Sequence, residues 1–207
     1  MKDCSVCSNS DKSRQTRRAP LSPVSVPKKP WDKLALDVIG PIDLPGLIIT
    51  MVDFNSHWIC IKFVHQVTTK AIIDFLCENF LIEGIPAIIL TDNGVQFTSL
   101  QMKEFLADLA IRHEQTSLNS PKANGLIERM NHMLKGCIQA AKVSRDDIEV
   151  SIKKLLWTYH TTINPVSGVS PFVALKGRSP GSKLFPRWLR GGDRVNIQQD
   201  LVSKRVR

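Results

Sequence analysis

The sequence predicts an α/β fold in mixed layers: three strands, then helix, strand, helix, strand and two closing helices. Two observations carry this reading. Strand-like patterning fills residues 31–64 with only short breaks, and beyond Thr68 the apolar period changes from two to that of a helix. Three strands joined by short connections form an antiparallel meander, with no room for the crossover helices of a doubly wound parallel sheet.

Each element has a local cause. Residues 8–30 combine Ser, four prolines and basic residues with almost no bulky apolar side chain, the composition of an extended linker. Regular structure begins at Trp31. In KLALDVIGPI, Leu34, Leu36 and Val38 share one face while Ala35, Asp37 and Ile39 share the other. DLPG at 43–46 reads as a turn, and LIITMVDF and WICIKFV as the next two strands. Thr68 is placed to cap a helix carrying Ile72, Leu76 and Phe80, and Gly84 to stop it. AIIL after Pro86 is short and wholly apolar, as a strand covered on both faces should be, and Asp92-Asn93-Gly94 breaks it. Thr98 with Gln101 predicts a capping box for a helix over SLQMKEFLADLA, and a short strand follows near RHEQTS. After the loop LNSPKANG comes a long helix with Leu126, Met130, Met133, Cys137 and Ala141 inward. Ser144 with Asp147 then opens another, whose stripe is Ile148, Ile152, Leu155, Tyr159 and Ile163.

Composition narrows the function. The chain of 207 residues carries a net charge of +9, unevenly spread. Residues 1–30 hold seven basic and two acidic side chains, and residues 176–207 hold nine and two, so the flanks stand at +5 and +7. The body between them has twelve basic and fifteen acidic residues, a net of −3. Basic arms suit a polyanion such as DNA, because each phosphate neutralised releases counterions; solvated tails are the plainer alternative. No apolar run reaches the length a membrane helix needs, and the N-terminus is polar and basic rather than signal-like. Five scattered cysteines do not make a disulfide framework, so a nuclear or cytoplasmic, non-secreted location is expected. The five histidines form no HxxxH or HExxH pair, which leaves zinc hydrolase chemistry without support.

Three acids lie where acids are costly without partners. Asp37 interrupts an apolar strand, Asp92 ends a buried one, and Glu128 sits in the first turn of a helix. Singly, each has a structural reading: a carboxylate satisfied by backbone donors, the opening of an Asp-Asn-Gly turn, or a glutamate favoured by the helix macrodipole. Gathered at one sheet edge, they would repel one another unless cations sat between them. Mg²⁺ or Mn²⁺ suits such an all-oxygen set, and a pair of ions about 4 Å apart is the arrangement that serves phosphodiester chemistry. Asp43, in the turn, and Asp53 are competitors for the role of first acid.

From Trp31 to about Arg178 the sequence resembles the integrase catalytic core of retroviruses and gypsy-type long-terminal-repeat retrotransposons. PWDKLALDVIGPI, MVDFNSHW, TDNGVQFTS, NGLIER and WTYHTTINPVSGVSPFVALKGR carry the resemblance in order, with 35 residues between Asp92 and Glu128. It implies a ribonuclease H-like fold, a five-stranded mixed sheet flanked by helices, over a core at 31–178. It implies a DNA strand transferase holding two Mg²⁺ or Mn²⁺ ions on Asp37, Asp92 and Glu128, and acting on DNA as a homo-oligomer. Water first cuts the DNA ends, and the freed 3′-hydroxyl then attacks a target phosphodiester. Gln96, Lys122, Asn124 and Gly125 fall in segments that approach DNA in similar proteins, and Asp53 matches an aspartate that is not a metal ligand. There are departures. Where the family loop reads like PYHPQSNG, this chain has SLNSPKANG, without the Tyr-His pair. In residues 1–30 only Cys4 and Cys7 match the family's zinc module, and two thiols do not close a tetrahedral site. Within 179–207, GGDRVNI resembles the opening strand of a C-terminal barrel. A non-catalytic binding module that keeps the fold is the alternative function. A ribonuclease H-type nuclease is a third, which leaves NGLIER and WTYHTT unexplained.

Overall fold

The computed structural model describes residues 27–41, 46–116, 125–165 and 167–181. Five strands form one mixed sheet: β1 (Lys33–Ile39), β2 (Leu47–Asp53), β3 (Ile59–Val64), β4 (Ile88–Thr91) and β5 (Arg112–Gln115), in the order β3-β2-β1-β4-β5. The first three are antiparallel, as their short connections require, while β4 and β5 run parallel to β1. Six helices accompany them: α1 (Thr69–Glu83), α2 (Val95–Thr98), α3 (Leu100–Asp108), α4 (Gly125–Ser144), α5 (Ile148–Thr161) and α6 (Pro171–Lys176).

The alternation in β1 divides the core as its sequence pattern dictates. Leu34 and Leu36 join Ile49, Met51, Ile72, Leu76 and Ile89 on the α1–α3 face. Ala35 and Ile39 join Ile48, Val52, Leu90, Ile127, Leu134 and Ile152 on the α4–α5 face. Asp37 belongs by period to this second face, so it meets α4. Trp31 fixes the entry to the sheet, its indole N–H donating to the Gly84 carbonyl at 2.8 Å. Gly84 ends α1 at φ +92, a conformation few side chains allow.

Thr68 caps α1 as expected, its hydroxyl accepting from the Ala71 N–H at 3.1 Å. Four expectations shift. Ser99, not Thr98, caps α3, because the single turn of α2 takes up Val95–Thr98 first. Asp147 alone caps α5, and Ser144 closes α4. The buried stripe of α4 centres on Ile127, Met130, Leu134 and Ile138, leaving Leu126, Met133 and Cys137 on its margin. In α5, likewise, Leu156 and His160 turn inward beside Ile152, and Ile163 lies past the helix end, 58% exposed. Asp43 and the centre of its turn, the 117–124 loop, Cys4, Cys7 and the RVNI segment fall outside the described residues. Cys60, Cys77 and Cys137 are free thiols. Among the described residues no helix is long and apolar enough to cross a membrane.

Candidate functional site

Asp37 and Asp92 are brought together by strand register. Parallel pairing sets Ala35 of β1 beside Leu90 of β4, and two further residues along each chain make Asp37 level with Asp92. Both line one groove of about 320 Å³ at the carboxyl ends of these strands, with Val38, Gln66, Gln96 and Phe97 among its walls.

The Asp37 carboxylate is held at both oxygens. Oδ1 accepts from the Val38 N–H at 2.8 Å, and Oδ2 accepts from the Asn131 amide at 2.6 Å. Burial pushes its pKa above the ordinary carboxylate value. The Val38 N–H opposes that shift, the Asp92 charge adds to it, and Lys135 and the Asn131 hydrogen bond work against it. The upward push from Asp92 marks the two acids as electrostatic neighbours. Asn131 is buried in α4, and its Oδ1 lies 3.1 Å from the Thr50 hydroxyl. Thr50 faces Asp37 across the β1–β2 ladder and also donates to the Asp37 carbonyl at 3.1 Å, so its one hydrogen is shared. Strand and helix are thus locked through a single carboxylate.

Asp92 serves two ends. It opens a tight turn, Oδ1 accepting from the Gly94 N–H at 2.9 Å, and it presents its charge to the groove. A Cβ on Gly94 would meet that oxygen at 3.0 Å and the Gln96 side-chain oxygen at 3.3 Å, so the turn is closely fitted around the acid. The loop after it is anchored to α1, the Gln96 carbonyl accepting from Thr69 at 3.1 Å and from Ser99 at 3.3 Å.

Glu128 stands in the first turn of α4, exposed. Among the described residues no three His, Cys, Asp or Glu side chains converge to hold a metal ion, so Asp37 and Asp92 meet without it. Asn131, one turn further along α4, occupies the helix position that faces Asp37. Gly125 opens α4, while Lys122 and Asn124 are not among the described residues. Asp53 is fully buried and committed to its own turn, Oδ2 accepting from the Ser56 N–H at 2.9 Å and the Ser56 hydroxyl at 2.6 Å. Sequence reasoning missed Asn131, Thr50 and Gln66. The first two had a readable signal: an amide on the apolar face of a helix and a hydroxyl inside an apolar strand. Two adjacent carboxylates with no ion pair to a cationic side chain among the described residues form a hard-oxygen donor set, which fits a divalent ion.

Comparison with known proteins bears on the family and the fold. The family described as "Integrase core domain" matches residues 28–121. Those residues belong to the integrase core family. An uncharacterized protein of Caenorhabditis elegans is 30% identical over 99% of this chain, which spans 15% of that protein. The Gag-Pro-Pol polyprotein of a simian retrovirus is 39% identical over 36% of the chain, or 4% of the polyprotein. The chain therefore covers only a small part of these relatives' length. Among solved structures, the integrase catalytic core domain of human T-cell leukemia virus 2 in complex with magnesium is similar with a TM-score of 0.59 and 22% identity. It covers 72% of this chain and 98% of its own. A simian T-cell lymphotropic virus intasome gives a TM-score of 0.68 and 20% identity over 84% of this chain and 61% of its own. The five-stranded mixed sheet with its helices is the ribonuclease H-like fold of integrase cores.

Proposed function

We propose that this integrase core is a metal-dependent DNA strand transferase with Asp37 and Asp92 as its central ligands and Glu128 as the third. The observation that carries the reading is the Asp37–Asp92 pair: two carboxylates level at parallel strand ends, one with a raised pKa, open to a common groove. Folding places like charges side by side at a cost that a cation removes. Divalent ions bound there would supply charge stabilisation at the phosphoryl oxygens and activate the attacking oxygen.

The chain's own residues prepare the site. Val38 N–H and Asn131 fix the Asp37 rotamer, so the carboxylate meets an ion without rotameric search. The Gly94 N–H does the same for Asp92. Gln66 and Gln96 offer neutral amides along the groove for sugar and phosphate oxygens. Lys122, Asn124 and Gly125 would meet DNA from the loop before Glu128, and the basic flanks would supply non-specific attraction. DNA and a second copy of the chain are the partners this reading requires. A strand-transfer assay tests it, with Mg²⁺ or Mn²⁺ and oligonucleotides bearing the parent element's ends. Joined products that vanish with Asp92→Asn support it, and DNA binding without any joining overturns it.

A second reading, a non-catalytic module that keeps the fold, is favoured by one observation: Glu128 does not join the two aspartates. It predicts normal folding and DNA binding with no metal-dependent change in either.

A further inference from the structure

A second pocket, of about 290 Å³, opens between the β2–β3 turn, the first turns of α4 and the end of α5. It shares no residue with the carboxylate groove. Met130, Tyr159, Ile163, Pro165 and Pro171 give it largely apolar walls. Its polar members are Arg129, His57, Thr162 and Asn164, with no acid among the described lining residues. Arg129 has no ion pair among the described residues, although it lies close enough to His57 and Tyr159 to influence both.

The two neighbours of Arg129 are set as neutral donors. The Asn164 amide donates to His57 Nδ1 at 2.9 Å, which leaves the ring hydrogen on Nε2. Burial, helped by the Arg129 charge, pushes the His57 pKa below its ordinary value, so the ring is uncharged near neutral pH. Burial pushes the Tyr159 phenol up to about 12, so it keeps its proton. One cation and two neutral donors stand among apolar walls, and no acid among the described lining residues balances the cation. A carboxylate brought by a partner would pair with Arg129 and accept from the neutral donors, while an adjacent apolar group would cover Ile163, which is 58% exposed. Nucleic acid is a poorer match, because tracking a phosphate chain calls for several cations and this pocket supplies one.

We propose that this pocket is a second binding site, taking an acidic side chain with an adjacent apolar side chain from a partner protein. The carboxylate meets Arg129, and the apolar group lies on Met130, Ile163 and Pro165.

The test uses the full chain, with backbone amide resonances and the side-chain resonances of His57 and Arg129 followed by NMR. The probes are an acetylated, amidated Leu-Glu-Leu peptide and its Leu-Gln-Leu counterpart. Saturable shifts with the glutamate peptide, at least tenfold weaker with the glutamine peptide, are expected. Arg129→Gln should weaken binding at least tenfold. Ile163→Asp, at a position 58% exposed and so tolerant of change, should do the same from the apolar side. Equal affinity for the two peptides, undiminished binding by Arg129→Gln, or shifts confined to residues 1–26 and 182–207 would overturn the proposal. So would a short DNA duplex that displaces the peptide, since phosphate would then be the ligand. Loss of strand transfer in Asp92→Asn leaves this readout untouched, so failure of one reading is distinguishable from failure of the other.

Discussion

His160 should make this fold acid-sensitive between pH 6.5 and 4. The ring is buried, 8% exposed, and lies flat on Trp58 with ring centroids 3.7 Å apart. Its Nε2 accepts the Ile59 N–H at 3.2 Å, satisfying a backbone donor on the edge strand β3. Only the neutral ring does this, and burial lowers the pKa from 6.5 to about 4. The unfolded chain therefore binds a proton at higher pH than the folded one. Stability is fully present above pH 6.5 and falls as pH drops toward the folded value. At 1.36 kcal/mol per unit, the full loss is about 3 kcal/mol, or roughly 6–12 °C in melting temperature for a domain of this size. His57 and His113, whose pKa values are also lowered, act in the same direction, so the comparison must be with a variant. His160→Gln keeps an acceptor within reach of Ile59 but cannot titrate. It should be less stable at pH 7, by about 1–3 kcal/mol for the missing stack and looser hydrogen bond, and its melting curve should fall less steeply with acid. Thermal melts of both proteins at half-unit steps from pH 7.5 to 4 decide the matter. Parallel curves would show that His160 does not carry the acid sensitivity.

Three further outcomes follow from the site. Asp92→Asn keeps the Oδ1 acceptor for Gly94, so stability should change by less than about 1 kcal/mol, while the Asp37 titration, followed by carboxyl NMR, should move down. An unmoved titration would mean that the two acids do not interact. Asn131→Ala removes the partner of both Asp37 and Thr50 and should cost about 1–3 kcal/mol, raising the Asp37 pKa further; an unchanged melt would deny it the role of lock. Replacing the arm cations by Gln should flatten the dependence of log DNA affinity on log salt by about 0.9 for each DNA phosphate that is no longer neutralised. Lys176 and Arg178 should be spared, since Lys176 pairs with Glu83 and lies over Trp58 while Arg178 lies over Phe172. Coincident slopes would shift DNA binding to the core.

The strand–helix order was legible because its causes are local. Period-two patterning in β1, the Thr68 cap and the Gly84 stop need only neighbouring residues to act. Cap positions slipped where two competing hydroxyls stood side by side, as Thr98 and Ser99 do, since only three-dimensional packing reveals the extra turn of α2. The α4 stripe slipped for a related reason. Helical spacing alone admits several faces, and the buried one was chosen by Ile127, Leu134 and Ile138 against the sheet. The acids divide the same way. Asp37 and Asp92 stood out as charges in apolar strands, and register then aligned them. Gln66 gave no sign, because an exposed glutamine between a strand and a helix looks like any other loop residue until the fold turns it toward Asp37.

Asn131 explains how a site made from distant segments keeps its shape. Its amide nitrogen serves Asp37 of β1, 94 residues away, and its oxygen meets Thr50 of β2, 81 residues away. An aspartate there would add a third negative charge and lose the donor, and a leucine would leave Asp37 short of one hydrogen bond in a half-buried position. An amide alone supplies a donor to the acid and an acceptor to the hydroxyl without changing the charge. Because Glu128 precedes it by one turn on the same helix, the Asn131–Asp37 bond also sets how far the first turn of α4 stands from the aspartate pair. If Glu128 is the third ligand as proposed, its approach to the aspartate pair must be made by its own side chain or by a shift of the first helical turn, with the Asn131–Asp37 bond as the fixed point.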